Sequence, residues 1–268
     1  MSFYSLLETA LLSDNVDLKK ESTHRCIEYC TKNILPQSNS ARVFEKPSYA
    51  SFCTIVPTDK LPMRNHLDTP QGLATLVHAI AHIEYSAIDL ALDAVYRFDK
   101  MPLEFKQDWL KVADDEIRHF KMLEKILHAL GYKYGDFPVH QGFFDIAKDT
   151  SRSPLYRMAI IPRYYEASGL DVNPQIIKKL HNKRKDPLVA ELIKTLEVIL
   201  KEEIDHVSKG DKWFRYLCDE SGVNIDIYFS ILDEFRLGLG NRKHINVEAR
   251  RQAGFSCEEI KKLGAKDC

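Results

Sequence analysis

Two stretches of this chain place an acid and an imidazole inside an apolar helical stripe. The helical face shared by Glu116 and His119 carries Trp109, Val112, Ala113, Phe120, Leu123 and Leu127. The face shared by Glu203 and His206 carries Leu192, Leu196, Ile199, Leu200, Val207, Gly210 and Phe214. A carboxylate buried without a partner is unstable or takes up a proton, so both helices predict a site that supplies positive charge.

The Glu-x-x-His spacing by itself decides little, because it arises by chance about once in a chain of this composition. A third pair, Glu21 and His24, has a charged helical face made of Asp14, Asp17, Arg25 and Glu28. We predict that this pair is solvated and has no role as a ligand. The apolar surroundings of the other two pairs, and not the spacing, distinguish them.

Two further acids occupy predicted interior positions. Glu84 shares its helical face with Val77, Ile80, Ala81, Ala87, Ile88 and Ala91. Glu166 is less regular: Leu155, Ala159 and Leu170 lie on its side, but so do Pro162 and Arg163. Four predicted helices therefore contribute, in order, Glu84, then Glu116 with His119, then Glu166, then Glu203 with His206.

Four buried glutamates repel one another unless cations separate them. Two divalent metal ions balance four carboxylates, and two neutral imidazoles complete the ligand set. An oxygen-rich set of this kind suits iron, with manganese as the other candidate, better than zinc. It is the ligand pattern of ferritin-like di-iron and di-manganese four-helix bundles. The alternative is a metal-free bundle in which Arg163 pairs with Glu166, but this buries four acids against too few cations.

Helix boundaries follow from capping residues and prolines. We predict that helices begin at Thr69-Pro70, Ser153-Pro154, Asn173-Pro174 and Asp186-Pro187. Gly131 and Gly222 are predicted helix ends, and Ser256 with Glu259 fits a capping box. The predicted helices cover much of 1–35 and residues 70–99, 102–130, 154–168 with a kink at Pro162, 174–183, 187–220, 224–236 and 256–264.

Alternating strand patterns are missing, so we predict an all-α fold: a ferritin-like four-helix bundle with extra N-terminal, crossover and C-terminal helices. Residues 36–69 are rich in proline, serine and asparagine and are predicted to form an irregular connector. We predict two domains. Residues 1–68 form a helical region and connector packed on the bundle, and residues 69–268 form the bundle with the C-terminal helices.

Six stretches resemble, almost from end to end, an uncharacterised bacterial ferritin-like family, the domain of unknown function DUF455. They are HAIAHIEYSAIDLALDAVYRF, WLKVADDEIRHFKML, YGDFPVHQGF, IPRYYEASGLDVNP, LEVILKEEIDHVSKGDKWFRYLC and INVEARRQAGFS. The resemblance implies a ferritin-like bundle with a dinuclear site at the six residues named above. In the wider di-iron carboxylate superfamily an acid before the ligand Glu often orients a ligating His. Asp115 and Glu202 occupy those positions.

Overall charge and hydropathy exclude several classes of function. The net charge is −1, so no global excess of basic residues indicates nucleic acid or an anionic membrane. We find neither an N-terminal signal peptide nor 18 consecutive apolar residues, and therefore predict a cytoplasmic protein without a membrane span. The six cysteines are scattered and are predicted to be reduced thiols.

The functional expectation is an oxidoreductase that activates oxygen or peroxide, with an unknown small-molecule substrate and electron donor. The alternatives are a ferroxidase or other iron-handling protein, and a tRNA-modifying hydroxylase. The last rests on analogy and on the basic run at residues 178–185, which we interpret as a solvated helix end, so nucleic acid is not the expected partner. A structural or interaction protein with a vestigial metal site is a further alternative. The sequence also leaves open whether the protein forms a homo-oligomer.

A polar stripe on the far side of the first bundle helix is predicted to be a solvated or subunit face. It comprises His78, His82, Tyr85, Asp89 and Asp93. Tyr85 and Tyr165 each follow a predicted ligand Glu, so each points about 100° away from it. We interpret these two tyrosines, and also Trp109 and Trp213, as packing residues.

Overall fold

The computed structural model describes residues 1–34, 41–238 and 244–268, and these ranges are predominantly helical. The α-helices are α1 Phe3–Leu12, α2 Val16–Thr31, α3 Pro70–Arg97, α4 Leu103–Ala129, α5 Gly142–Asp149, α6 Pro154–Ile160, α7 Ala167–Leu180, α8 Pro187–Ser221, α9 Ile227–Glu234, α10 Val247–Gln252 and α11 Cys257–Lys262. The described residues contain no β-strand, only an isolated bridge between Ile55 and Val139. The predicted all-α class is confirmed.

Capping side chains begin the helices where the sequence predicts. Thr69 Oγ1 accepts a hydrogen bond from the Gly72 amide at 3.0 Å, which begins α3. Ser153 and Asp186 cap α6 and α8 in the same way. The capping box of α11 is also present. Gly131 and Gly222, which end α4 and α8, have φ of +83° and +64°, a left-handed conformation that glycine adopts without strain.

The predicted break between residues 168 and 174 is wrong. A π-helical segment, Ile161–Glu166, joins α6 to α7, and Pro174 lies inside α7. A proline in this position leaves the carbonyl four residues earlier without its helical partner. That carbonyl, on Leu170, accepts a hydrogen bond from Asn246 Nδ2 at 3.2 Å. A residue far along the chain therefore stabilises a helix that local signals predict to be broken.

The predicted connector contains short 3₁₀ turns at Ser48–Ser51 and Thr58–Lys60, and its residues 36–40 lie outside the described ranges. Helices α5 and α10 were not predicted. They have only eight and six residues, too few for a clear hydrophobic period.

Two compact units divide the chain. Unit 1 contains Met1–Asp149 and Asp186–Thr195, and unit 2 contains Thr150–Lys185 and Leu196–Cys268. The predicted domain boundary at residues 68 and 69 stays a prediction. Within unit 1, α1 packs against α3 and α2 packs against α4. The long helices α3 and α4 thus share one core with α1 and α2.

The polar stripe of α3 is buried in unit 1, so the prediction of a solvated or subunit face is wrong. His78, His82 and Tyr85 are all buried. The Lys19 ammonium from α2 donates to Asp89 Oδ1 at 2.5 Å, and Ser48 Oγ donates to Asp89 Oδ2 at 2.6 Å. The sequence around α3 does not indicate that residues 41 and 70 positions earlier supply the partners of Asp89.

The polar interior of unit 2 centres on Arg163. Its Nη2 donates to Glu259 Oε1 at 2.5 Å and lies 3.3 Å from Asp211 Oδ1. Its guanidinium also faces three aromatic rings, those of Phe214, Tyr228 and Phe255. The charged partners of Arg163 are thus Asp211 and Glu259, and not Glu166 as in the metal-free alternative.

The cysteines are only partly as predicted. Cys257 and Cys268 form a disulfide, so the prediction of reduced thiols is wrong for these two. Cys26, Cys30, Cys53 and Cys218 are free and buried. Both tryptophans are buried, as predicted. Among the helices that the structure describes, none has the length and apolar character needed to cross a membrane.

Candidate metal centre

A buried cluster in unit 1 brings together three of the predicted ligands. Glu84 comes from α3, and Glu116 and His119 come from successive turns of α4. One ligand atom of each lies within 4.8 Å of the others. The three residues are 5%, 1% and 0% exposed, so water does not solvate their charges. This cluster of glutamate and histidine side chains could bind a metal ion.

A single imidazole nitrogen faces both carboxylates of the cluster. His119 Nδ1 lies 3.1 Å from Glu84 Oε2 and 3.4 Å from Glu116 Oε2. Three donor atoms that lie this close together, from two helices, resemble part of the ligand set of a metal ion. A purely structural ion pair would need only one carboxylate for one imidazole.

The pKa values of Glu84 and His119 show that positive charge stabilises the cluster. Burial, and then repulsion from Glu116, raises the pKa of Glu84 to about 7. Burial opposes a charge on His119, but hydrogen bonds from its ring to Glu116 and Glu84 outweigh this and raise its pKa to about 11. Without a metal ion the cluster therefore retains protons near neutral pH. A bound cation would replace them, as metal ligands must be deprotonated.

The local sequence explains why these side chains meet. Consecutive helices α3 and α4 pack together over much of their length. Small residues surround the acid of α3, among them Ala81, Ala87 and Ala91, all buried. Short side chains let two helix backbones approach closely, and the longer glutamate side chains can then reach the same point. The apolar neighbours of Glu116 are buried as predicted, which keeps the cluster dry.

Unit 2 carries the second Glu-x-x-His pair on α8. His206 Nδ1 lies 3.4 Å from Glu203 Oε1, the same distance as between His119 and Glu116. The His206 side chain is fully buried, and that of Glu203 is 12% exposed. The two pairs thus repeat one local geometry on two helices.

Glu166 is the last residue of the π-helical segment Ile161–Glu166 and is partly buried. π-Helical turns inside α-helices are rare and occur frequently at functional sites. Within unit 2, the Pro162 ring of this segment packs directly on Gly210 of α8. A Cβ atom at Gly210 would lie only 2.2 Å from Pro162 Cβ. Gly210 therefore permits a close approach between the segment that carries Glu166 and the helix that carries Glu203.

The remaining predicted positions have more ordinary surroundings. Asp115 Oδ1 accepts hydrogen bonds from Lys111 at 2.6 Å and Arg118 at 2.9 Å, and Glu202 is partly buried on α8. Their predicted role in orienting a ligating imidazole stays a prediction. Glu21 and His24 are exposed, as predicted, and His24 Nε2 lies 2.7 Å from Asp114 Oδ1.

Sequence reasoning missed one buried polar residue beside this cluster. Tyr134 lies in the loop after α4, contacts Phe120 and Tyr85, and hydrogen-bonds His82. A loop has no helical period, so no pattern indicated that Tyr134 is interior. The YGDFPVHQGF stretch carries it, but the chain sequence gives no reason to single out this tyrosine.

The donor set fits a first-row transition metal. Two carboxylates and one imidazole lie together in unit 1, and one carboxylate and one imidazole lie together in unit 2. The free cysteines are elsewhere in the chain, so thiolates, which zinc favours in structural sites, are not among these donors.

Comparison with known proteins places this chain in a group without an assigned activity. The family model described as "Protein of unknown function (DUF455)" matches residues 12–261. An uncharacterized protein from Haemophilus influenzae is 38% identical over 235 residues, which cover 85% of this chain and 77% of that protein. No solved structure matches the chain.

Proposed function

The chain belongs to the DUF455 family of proteins of unknown function, and from that premise we propose that it is a dinuclear metalloprotein that activates oxygen or peroxide for an oxidation. The observation that carries the proposal is the buried convergence of Glu84, Glu116 and His119 on one point. Burying two carboxylates beside one imidazole costs free energy, and a bound cation would offset that cost. The pair on α8 repeats the local geometry and supplies a second set of donors.

We assign the four helical stretches α3, α4, α6 with α7, and α8 to a ferritin-like four-helix bundle. The support is the order of the ligands along the chain: a lone Glu, a Glu-x-x-His, a lone Glu and a second Glu-x-x-His. This order matches the pattern of ferritin-like carboxylate proteins. In the proposed site Glu84, Glu116, His119, Glu166, Glu203 and His206 would hold the two metal ions. Iron is the proposed metal, with manganese as the alternative.

The metal pair would supply two redox centres with open positions for oxygen or peroxide. The chain's own residues prepare that chemistry. Val112, Phe120 and Leu123 are buried and exclude water from the α4 side of the cluster. Glu84, with its pKa raised to about 7, can hold a proton at its carboxylate until a cation displaces it.

Metal analysis tests the proposal directly. Protein produced in iron-rich medium should contain about two iron or manganese ions per chain. An anaerobic titration with ferrous ion should reach the same stoichiometry, and a pulse of oxygen should then be consumed. Glu116→Ala removes a central ligand and should abolish most of the binding.

Glu21→Ala is the matched control, because Glu21 belongs to the exposed Glu-x-x-His pair and should not affect metal content. A metal content below about one ion per chain, unchanged by Glu116→Ala, would contradict the dinuclear proposal. A large hollow assembly in size-exclusion chromatography, with iron stored as mineral, would favour iron handling instead.

A further inference from the structure

A disulfide closes a short loop that contains α11 of unit 2. Cys257, the first residue of α11, is bonded to Cys268, which lies 11 positions later in the chain. Cys268 is exposed and Cys257 is half-buried, whereas the four free cysteines are all buried. A dissolved thiol can therefore reach the disulfide at the Cys268 sulfur, while burial keeps the free cysteines unreactive.

Helix α11 is too short to be stable by itself. It has six residues, and isolated helices of fewer than about 12 residues are marginal in water. Its native position depends on the buried side chains of Glu259 and Ile260, on the cap that Ser256 provides and on the disulfide. If a disulfide acts through chain entropy, closing a loop of about 12 residues favours the folded loop by about 100-fold.

Glu259 connects α11 to two cationic side chains of unit 2. Its Oε1 accepts a hydrogen bond from Arg163 Nη2 at 2.5 Å, and its Oε2 accepts one from Arg215 Nη2 at 3.2 Å. Arg163 is fully buried, and the other carboxylate near its Nη2, that of Asp211, lies 3.3 Å away. A buried charge that loses one of its partners is destabilised, so Arg163 depends on the position of α11.

Arg163 belongs to the π-helical segment Ile161–Glu166, so α11 also supports this segment. The main-chain carbonyl of Arg163 accepts a hydrogen bond from Tyr228 Oη of α9 at 2.9 Å, which is a second support. π-Helical turns are rare, and this one persists because neighbouring elements hold it. The disulfide, α11, Glu259 and the π segment thus form one continuous series of contacts within unit 2.

We propose that Cys257 and Cys268 form a reversible thiol–disulfide site for low-molecular-weight thiols and disulfides of the glutathione type, and that its redox state controls how firmly α11 holds the π segment. In reduction, a thiolate attacks the Cys268 sulfur, a new S–S bond forms there and the bond to Cys257 breaks. The electron pair stays on the Cys257 sulfur, which takes up a proton. A second thiolate then displaces the Cys268 sulfur, which also takes up a proton, and the two reagent molecules leave as one disulfide. The reverse steps consume one molecule of that disulfide.

Equilibration of the whole chain with glutathione buffers tests the chemistry. Samples at a series of ratios of reduced to oxidised glutathione are unfolded, labelled with an alkylating reagent and weighed by intact mass spectrometry. The chain has six cysteines, so the disulfide form should carry four labels and the reduced form six. The label count should change from four to six as the buffer becomes more reducing. Six labels in the most oxidising buffer, or four in the most reducing one, would show that the pair is not a reversible site.

Hydrogen exchange followed by mass spectrometry tests the effect on the fold. In the reduced protein the amides of α11 should exchange faster, by up to about 100-fold, because the open state is no longer restrained. The amides of the π segment should exchange severalfold faster, because Arg163 loses a charged partner whenever α11 opens. Exchange in α1 and α2 of unit 1 should not change and is the internal control. If α11 or the π segment exchanges equally in the two redox states, the disulfide does not control the segment.

Three variants assign the effect to individual residues. Cys268→Ser cannot form the disulfide and should exchange like the reduced parent protein in every buffer. Asp267→Ser changes the exposed neighbouring residue, keeps both cysteines and should respond as the parent protein does. Glu259→Gln removes the charge that pairs with Arg163, so α11 should still respond to reduction but the π segment should not.

The variants also provide the outcomes that would contradict the proposed control. A π segment that responds to reduction as strongly in Glu259→Gln as in the parent protein would show that the disulfide does not act through Glu259. A Cys268→Ser variant that exchanges like the oxidised parent protein would show that the disulfide does not restrain α11. Circular dichroism shows whether each variant folds, and the comparison of the two redox states of the parent protein needs no variant. None of these measurements requires a bound metal ion, so they are independent of the proposed metal centre.

Discussion

At His119, burial and hydrogen bonding act in opposite directions, and the outcome reveals the character of the cluster. An isolated buried histidine becomes neutral, as His78 does in the same unit, where burial lowers the pKa to about 4. His119 is more completely buried, yet its pKa is raised to about 11. The difference is the pair of carboxylates at its Nδ1 atom. Positive charge is thus stable on His119 although burial opposes it.

His78 predicts how the stability of the protein depends on pH. Its folded-state pKa of about 4 lies below the ordinary value of 6.5, mainly because it is buried, although Asp136 partly offsets the shift. Protonation therefore favours the unfolded chain, and the stabilisation is complete above pH 6.5 and is lost as the pH falls toward 4. The free energy of unfolding of metal-free protein should drop by about 1 kcal/mol from this residue between pH 7 and 5.5.

Denaturant titrations of metal-free parent protein and of His78→Gln over this pH range measure the effect. Gln can accept the hydrogen bond that the Gly135 amide donates to His78 Nε2, but it does not titrate. The variant should therefore show a shallower decline below pH 6.5. Equal slopes for the two proteins would show that His78 does not become protonated on unfolding.

At the scale of the helix, the π segment Ile161–Glu166 links packing to ligand position. Its Pro162 ring occupies the space that a side chain at Gly210 would need. The next residue, Arg163, is held by ion pairs with Glu259 and Asp211. The segment is thus held on both sides just before Glu166, and its unusual turn persists because unit 2 supplies these contacts.

Gly210→Ala should disturb this arrangement. The new methyl group would lie 2.2 Å from Pro162 Cβ, so the π segment or α8 must move. We expect a loss of about 1–3 kcal/mol in the free energy of unfolding. Iron content should fall as well if Glu166 is a ligand, because its segment is displaced. Chemical denaturation and metal analysis of the purified variant give both values.

Gly169→Ala is the matched control, because Gly169 lies in α7 and a Cβ atom there meets nothing within 4 Å. It should leave iron content unchanged and stabilise the helix by up to about 1 kcal/mol. If Gly210→Ala is as harmless as Gly169→Ala, the close packing of Pro162 on α8 is not important for the site.

Elements that depend on local signals were predictable from the sequence, and elements that depend on distant partners were not. Thr69, Ser153 and Asp186 cap their helices because the amides they bond are two or three residues away. Local signals predicted a helix break before Pro174, and this was wrong because the distant Asn246 donates to the carbonyl that the proline leaves without a helical partner. In the candidate site, the stripes around Glu84 and Glu116 predicted burial correctly. No local pattern could reveal that Lys19 covers the polar stripe of α3.

For the whole molecule, the proposed centre predicts that metal binding and folding are linked. Its ligands extend from residue 84 to residue 206 of the chain, so an unfolded chain cannot hold them together. Ferrous ion at 100 times its dissociation constant should therefore stabilise the protein by about 2.7 kcal/mol, and a chelator should reverse this. Anaerobic thermal unfolding with and without iron measures the shift.

Glu116→Ala separates this linkage from non-specific effects of iron. The variant loses a ligand and should show little or no stabilisation by added iron. Glu21→Ala should respond as the parent protein does. An equal response in all three proteins would mean that iron acts at some other place in the chain.

The Lys19–Asp89 ion pair has a consequence for synthesis on the ribosome. Its partners are 70 residues apart, and Lys19 is fully buried in the folded protein. At about 5–20 residues per second, several seconds pass between the synthesis of the lysine and that of its carboxylate. During this time Lys19 Nζ has the Ala10 carbonyl of α1 as a hydrogen-bond partner but lacks its carboxylate. Synthesis of α3 then supplies the negative charge that makes burial of the lysine favourable.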